Sequence, residues 1–261
     1  MIYLRFIVTF ISISAVSQTL METDLIEKTP FEANDLIKIN SFGGIFYTQN
    51  DVLLKKDEYQ KNILNYSNFQ LGKITSANAF NPLKINIFYQ DFNTVVILDN
   101  RLAEIFKIDF NNLEHYKNIT HISTGYDNTI WIFNQNTQQL ELFDYKTLKS
   151  KNTTLPIKSE VLDIESNYNY CWLLTKEHLY MYNYFGRLIK SFKNDNFTQL
   201  AINNENAILK RENALFYLNG KTGNIIPIKL PNLSINSFFT TNESLYIYGS
   251  KTIYKLNIKT N

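Results

Sequence analysis

The stretch ITHISTGYDNTIWIFNQNTQQLELFD, Ile119 to Asp144, decides how this chain is read. It opens with a short apolar run, Ile119 to Ile122, and turns at Tyr126-Asp127-Asn128. A second run follows, Thr129-Ile130-Trp131-Ile132-Phe133, then a third, Leu140-Glu141-Leu142-Phe143-Asp144, and a closing strand near Leu148. Each run is rich in β-branched and aromatic residues, which suit a pleated, packed surface, and each is bounded by Asn, Asp or Gly, which hold turn conformations. The same order returns downstream: Val161 to Ile164, a turn at 167–169, Cys171-Trp172-Leu173-Leu174, Leu179-Tyr180-Met181-Tyr182, then Gly186 and Leu188 to Phe192.

Working outward, six such units are legible. The first runs from Leu36 through Gly44-Ile45-Phe46-Tyr47 to Leu54, and the second from Ile74 through Ile85–Tyr89 to Val95–Asp99. The fifth spans Phe197 to Leu230, and the sixth goes from Ile235 through Leu245–Tyr248 to Thr252–Leu256. Starts at 36, 74, 119, 161, 197 and 235 lie close to the spacing of about 40 to 45 residues expected for four-stranded propeller blades. No long stretch carries apolar residues at helical spacing. The expected fold is therefore all-β, a β-propeller of about six blades. A two-sheet sandwich would have no reason to repeat an Asn or Asp turn before an aromatic strand at near-equal intervals. In a propeller the aromatics of the second strand fill the wedge between neighbouring sheets, so Trp131 and Trp172 read as core. The sixth unit ends after three strands, and the extended segment Leu25 to Phe31 precedes the first. That segment is expected to close the last blade as its outer strand and so remove an exposed edge.

The stretch Asn81-Pro82-Leu83-Lys84-Ile85-Asn86-Ile87-Phe88-Tyr89-Gln90-Asp91-Phe92-Asn93-Thr94-Val95-Val96-Ile97-Leu98-Asp99-Asn100-Arg101-Leu102 resembles that of uncharacterised exported propeller-like proteins of the Bacteroidetes bacteria. The resemblance covers most of the chain after its first residues. It implies the fold and an exported location, and brings no catalytic residues with it. More distantly the units are similar to WD40 and quinoprotein-type propeller repeats. The Gly-His and Trp-Asp marks of the former are missing, and the adjacent-cysteine pair of the latter cannot be built from one cysteine.

Residues 1–17 read as a secretory signal: Arg5, an apolar run from Phe6 to Val16, and Ala15-Val16-Ser17 before Gln18. The run is shorter than the roughly 18 to 20 residues that span a bilayer. Residues 18–261 are then expected to form one propeller domain, soluble, monomeric, and periplasmic or secreted. With a single cysteine, Cys171, no intramolecular disulfide is available, and the residue reads as a small buried apolar side chain.

Composition narrows the partners. The chain is 44% hydrophobic and 19% charged, so it has material for a large core. Its 26 basic and 24 acidic residues leave no surplus of cations to attract a nucleic acid. Reactive constellations are sparse as well. There is no G-x-S-x-G elbow and no phosphate loop, and no metal-ligand spacing emerges from His115, His121, His178 and Cys171. His115 and His121 read as surface histidines. Asp91, Asp127, Asp163 and Glu243 lie near strand ends, where carboxylates accept local N–H bonds. Neither a metal nor a cofactor is expected.

The expected function is thus a non-catalytic exported scaffold that engages a protein or a cell-envelope component through its loop faces. Tyr89, Phe92, Tyr126, Tyr168, Tyr170 and Tyr184 are the candidate contact residues. The competing expectation is a carbohydrate-active enzyme or sugar-binding module using the axial funnel.

Overall fold

A computed structural model describes residues 20–40, 44–57, 63–241 and 244–259. The signal assigned to residues 1–17, and Glu243, lie outside the described residues. Strand β1 (Thr23–Pro30) comes first. Blade one is built from β2 (Asp35–Ile39), β3 (Ile45–Gln49), β4 (Val52–Lys56) and β5 (Ile63–Tyr66). Blade two has β6 (Ser76–Asn78), β7 (Ile85–Tyr89), β8 (Thr94–Leu98) and β9 (Glu104–Asp109). Blade three has β10 (Ile119–Thr124), β11 (Thr129–Asn134), β12 (Gln139–Asp144) and β13 (Lys149–Thr153), and blade four β14 (Val161–Ser166), β15 (Tyr170–Thr175), β16 (His178–Asn183) and β17 (Leu188–Lys193). Blade five has β18 (Gln199–Asn203), β19 (Asn206–Arg211), β20 (Ala214–Leu218) and β21 (Ile225–Pro227), and blade six β22 (Ser237–Thr241), β23 (Ser244–Gly249) and β24 (Thr252–Ile258).

Every sheet is four-stranded and antiparallel, and the inner strands β2, β6, β10, β14, β18 and β22 abut one another in turn, with β22 returning to β2. The result is a closed six-bladed β-propeller. The core is divided accordingly into six apolar clusters, one at each seam between blades. Because both faces of a middle strand are covered by neighbouring blades, β7, β8 and β11 are buried at every position and lose the in-out alternation of a one-sided sheet. Trp131 lies at the seam of blades three and four and Trp172 at that of blades four and five, both almost wholly buried. At about 25 cal/mol per Å², each such ring removes apolar surface worth roughly 4 to 6 kcal/mol.

The expected closure is present. β1 pairs antiparallel with β24, from Thr23 opposite Ile258 to Pro30 opposite Thr252, as the outer strand of blade six. Just before it, the Met21 N–H donates to Pro227 O at 2.9 Å and its carbonyl accepts from Lys229 N–H at 2.9 Å, stitching blade five to blade six.

Turn chemistry repeats with the blades. Where the third strand hands over to the fourth, one side-chain oxygen gathers the next N–H groups. Asp99 accepts from Arg101 and Ala103, Asp144 from Lys146 and Thr147, Asn183 from Phe185 and Arg187, and Asn219 from Lys221 and Thr222.

Candidate functional site

The inner strands leave a funnel on the axis, open on the face where the linkers between blades arrive. Its cavity is about 800 Å³ and takes wall residues from five blades, with His121 of the remaining blade, on β10, in an adjoining recess of about 280 Å³. Asp35 opens β2, Ser76 opens β6, Gln199 opens β18 and Ser237 opens β22, while Asp163 and Glu165 stand on β14. Two residues apart on one strand, those two side chains project to the same side, from backbone positions roughly 6.5 Å apart.

Asp163 is held in place by two main-chain donors, Ile164 N–H and Leu200 N–H, each at 2.8 Å. Burial nevertheless raises its carboxyl to about 6, because the N–H bonds only partly offset the lost hydration. Glu165 sits deeper. Burial first, and then the Asp163 charge, push it up to about 8 against the pull of Lys38. Burial in turn lowers Lys38, whose ammonium donates to Thr240 O at 2.9 Å and lies 5.3 Å from the Phe239 ring centroid. Asn78 reaches across from β6 with its amide nitrogen 3.4 Å from both Glu165 Oε2 and Ser123 Oγ. Around this group the axial space narrows to a recess of about 60 Å³. Asp35 is also raised by burial, opposed by Ser237 and the Leu36 N–H. Among the described residues of the cavity wall, Asp35, Asp51, Asp163 and Glu165 stand with Lys73 as the one cation.

Several sequence expectations change here. Asp163 is no turn former, since it lies on an inner strand and lines the funnel. His121 is not a surface residue either: it is half-buried on β10, and burial lowers its imidazole despite the Leu162 backbone contact. His115 is exposed as expected. Sequence reasoning passed over Asp35, Lys38 and Glu165. For Glu165 the signal was charged residues at alternate positions of an inner strand, Asp163-Ile164-Glu165, where Ile164 alone turns to the core. Asp35 and Lys38 are three apart across a bulge and carry no such alternation.

The aromatic candidates are dispersed. Tyr89 is fully buried in the seam of blades one and two and is not presented to a partner. Phe92 is exposed on the short 3-10 turn Gln90–Phe92 of the funnel face. On the opposite face Tyr168 packs edge-on to Phe80 at 5.0 Å beside a cavity of about 300 Å³, and Tyr170 is half-buried against the seam of blades four and five. Only Tyr126 and Tyr184 meet, at 5.7 Å and 84°, with Phe185 added, a residue the sequence reading left out.

No protein-family model matches the chain, and no curated protein matches it in sequence. Solved structures do. The chain is similar to a streptogramin B lyase, with TM-score 0.61, 16% identity, and coverage of 86% of this chain and 78% of that one. It is also similar to a catalytically inactive virginiamycin B lyase from Staphylococcus aureus with quinupristin, with TM-score 0.63, 11% identity and coverage of 95% and 98%. A third is Saccharomyces cerevisiae Sqt1, with TM-score 0.57, 11% identity and coverage of 88% and 74%. At these identities the likeness establishes the β-propeller fold and nothing about chemistry. Among the described residues no helix is long and apolar enough to cross a membrane.

Proposed function

We propose that this protein is a non-catalytic binding propeller, exported after loss of residues 1–17, that holds a protein or cell-envelope partner at the mouth of its axial funnel. The observation that carries this reading is the funnel itself, about 800 Å³ with Asp35, Asp51, Asp163 and Glu165 against Lys73. Above about pH 6, where Asp163 ionises while Glu165 stays protonated, this wall favours a cationic group, and a lysine or arginine side chain of the partner fits it. Such a group inserted into a largely desolvated pocket is the usual form of an interface anchor. The likeness to both lyases and Sqt1 supports a propeller in a binding role without choosing its partner. Export is supported by the sequence of residues 1–17 alone. The test is calorimetric titration with lysine- and arginine-containing peptides. Saturable binding lost in Asp163→Asn/Glu165→Gln supports the reading, and binding unaffected by that change overturns it.

A second reading has its own support. Two carboxyls on one side of β14, with proton affinities pushed apart to about 6 and about 8, pair an ionised group with a protonated one, as glycoside hydrolysis requires. Turnover of aryl glycosides abolished by Glu165→Gln would favour it over the binding role.

A further inference from the structure

A second surface lies on the face opposite the funnel mouth, at the seam of blades three and four. Tyr126 comes from the hairpin between β10 and β11, and Tyr184 and Phe185 from the turn between β16 and β17. Tyr184 and Phe185 are 4.0 Å apart between ring centroids, and Tyr126 stands edge-on to both. Tyr184 is 40% and Phe185 52% exposed, so both rings are open to a partner.

Both turns are tied down by hydrogen bonds. Lys84 of blade two reaches across to blade three and donates to Gly125 O at 2.6 Å, Asp127 O at 2.9 Å and Thr129 O at 3.0 Å, pinning the Tyr126 hairpin. The other turn is closed by Asn183, whose side chain accepts from Phe185 N–H at 3.0 Å and Arg187 N–H at 2.9 Å. Gly186, at φ +84°, brings this turn down over the Trp131 ring. Rings fixed this way lose little freedom when a partner covers them, which is what favours aromatic anchors at interfaces.

The surrounding charge is positive. Lys151 over Tyr126, Arg187 in the same turn as Phe185, and Lys146 and Lys149 in and just after the β12–β13 turn at this end of blade three are exposed. The acids of the Tyr126 hairpin and of the β12–β13 turn are Asp127 and Asp144. Asp144 is already taken up by Lys151 at 2.9 Å and by two backbone N–H groups, and Lys151 stands 5.7 Å over the Tyr126 ring. Lys146 and Arg187 have no ion pair among the described residues.

We propose that this surface docks an extended acidic segment of a partner protein, with a leucine or proline side chain on the Tyr184 and Phe185 rings and carboxylates on Lys146 and Arg187. The charge complementarity selects an acidic partner, and the ring platform selects one with apolar side chains rather than a uniform polyanion.

The test uses fluorescence anisotropy with three short synthetic peptides on the full chain: one of Glu, Leu and Pro, one with Lys for each Glu, and one with Ser for each Leu and Pro. The first is expected to bind saturably and the others at least tenfold more weakly. Tyr184→Ala/Phe185→Ala and Lys146→Glu/Arg187→Glu should each weaken it tenfold or more, while Asp163→Asn/Glu165→Gln leaves it unchanged, which separates this surface from the funnel. Circular dichroism checks folding, and Phe185→Ser and Arg187→Glu singly replace any double variant that does not fold. No peptide binding, equal binding of the lysine peptide, indifference to the substitutions, or binding only of polygalacturonate or phosphatidylglycerol vesicles would each overturn the proposal.

Discussion

The Tyr248 hydroxyl and the backbone of Ala33 bond each other twice: the hydroxyl donates to Ala33 O at 2.8 Å and accepts from Ala33 N–H at 3.0 Å. Tyr248 lies on β23 in the last blade, and Ala33 lies in the linker that carries the chain from β1 into blade one. The pair therefore fastens the closing segment where it turns inward. Tyr248→Phe leaves both peptide groups without these partners in a part-buried position. The expected loss is about 1 to 3 kcal/mol, read as a lowered urea midpoint with unchanged slope. An unchanged midpoint would show that the hydroxyl does not fasten the closure.

Glycine at 249 is required by proximity. A Cβ there would stand 1.8 Å from Ser234 O, so Gly249→Ala forces the linker into blade six to move. A cost of about 1 to 3 kcal/mol is expected, the range for overpacking. A melting temperature equal to that of the unmodified protein would refute the close approach.

Trp172 fills the seam of blades four and five, stacked near Phe192 at 6.1 Å and 16°. Trp172→Ala should cost roughly 3 to 5 kcal/mol, whereas Tyr184→Ala, on an exposed ring, should stay within about 0.5 kcal/mol. Comparison of the two by chemical denaturation distinguishes a wedge residue from a contact residue.

Lys84 is buried with three carbonyl partners, and burial lowers its ammonium to about 8, with the Asp127 charge working the other way. Lys84→Met takes this donor from all three oxygens, leaving Thr129 O only the Gly125 N–H at 3.1 Å, and is expected to cost about 3 kcal/mol. Amide exchange in residues 125–129 should accelerate more than in blade five. Uniform acceleration across the molecule would mean the lysine acts globally and not on that hairpin.

Acid–base linkage at the funnel has a definite sign. Asp163 and Glu165 bind protons more tightly folded than unfolded, so their contribution to stability is complete below about pH 4. It is lost as pH rises through about 6 for Asp163 and about 8 for Glu165. Glu165→Gln removes the second part. Whatever its offset at low pH, the variant should therefore gain on the unmodified protein between about pH 4.5 and pH 8 in thermal melts. A difference that stays flat or falls over that range would contradict the burial of Glu165.

The repeat from Ile119 to Asp144 and its copies made the ring legible in advance: inner strands begin at Asp35, Ser76, Ile119, Val161, Gln199 and Ser237, within two residues of the unit starts. Periodicity does this because every blade must solve the same wedge-packing problem with the same residue types. The funnel was less legible. Asp163 looked like a turn residue because its neighbours in sequence are ordinary strand formers, and its role follows from the Leu200 N–H supplied by the next blade. Lys38 and Glu165 belong to blades one and four, and only closure of the ring brings them to one axis. Tyr89 and Tyr184 are chemically alike, and their opposite fates depend on strand position: the middle of a sheet for one, a turn at its rim for the other.

Because the backbone of Thr23 to Pro30 pairs with Thr252 to Ile258, the ring has a fixed order of assembly during synthesis. The earliest of these strands to leave the ribosome is the last to be paired, and it must stay uncommitted while five blades form. Closing so long a loop is entropically slow. Until it happens, β24 presents an open edge, and this is the interval in which a chaperone or another copy of the chain can intervene.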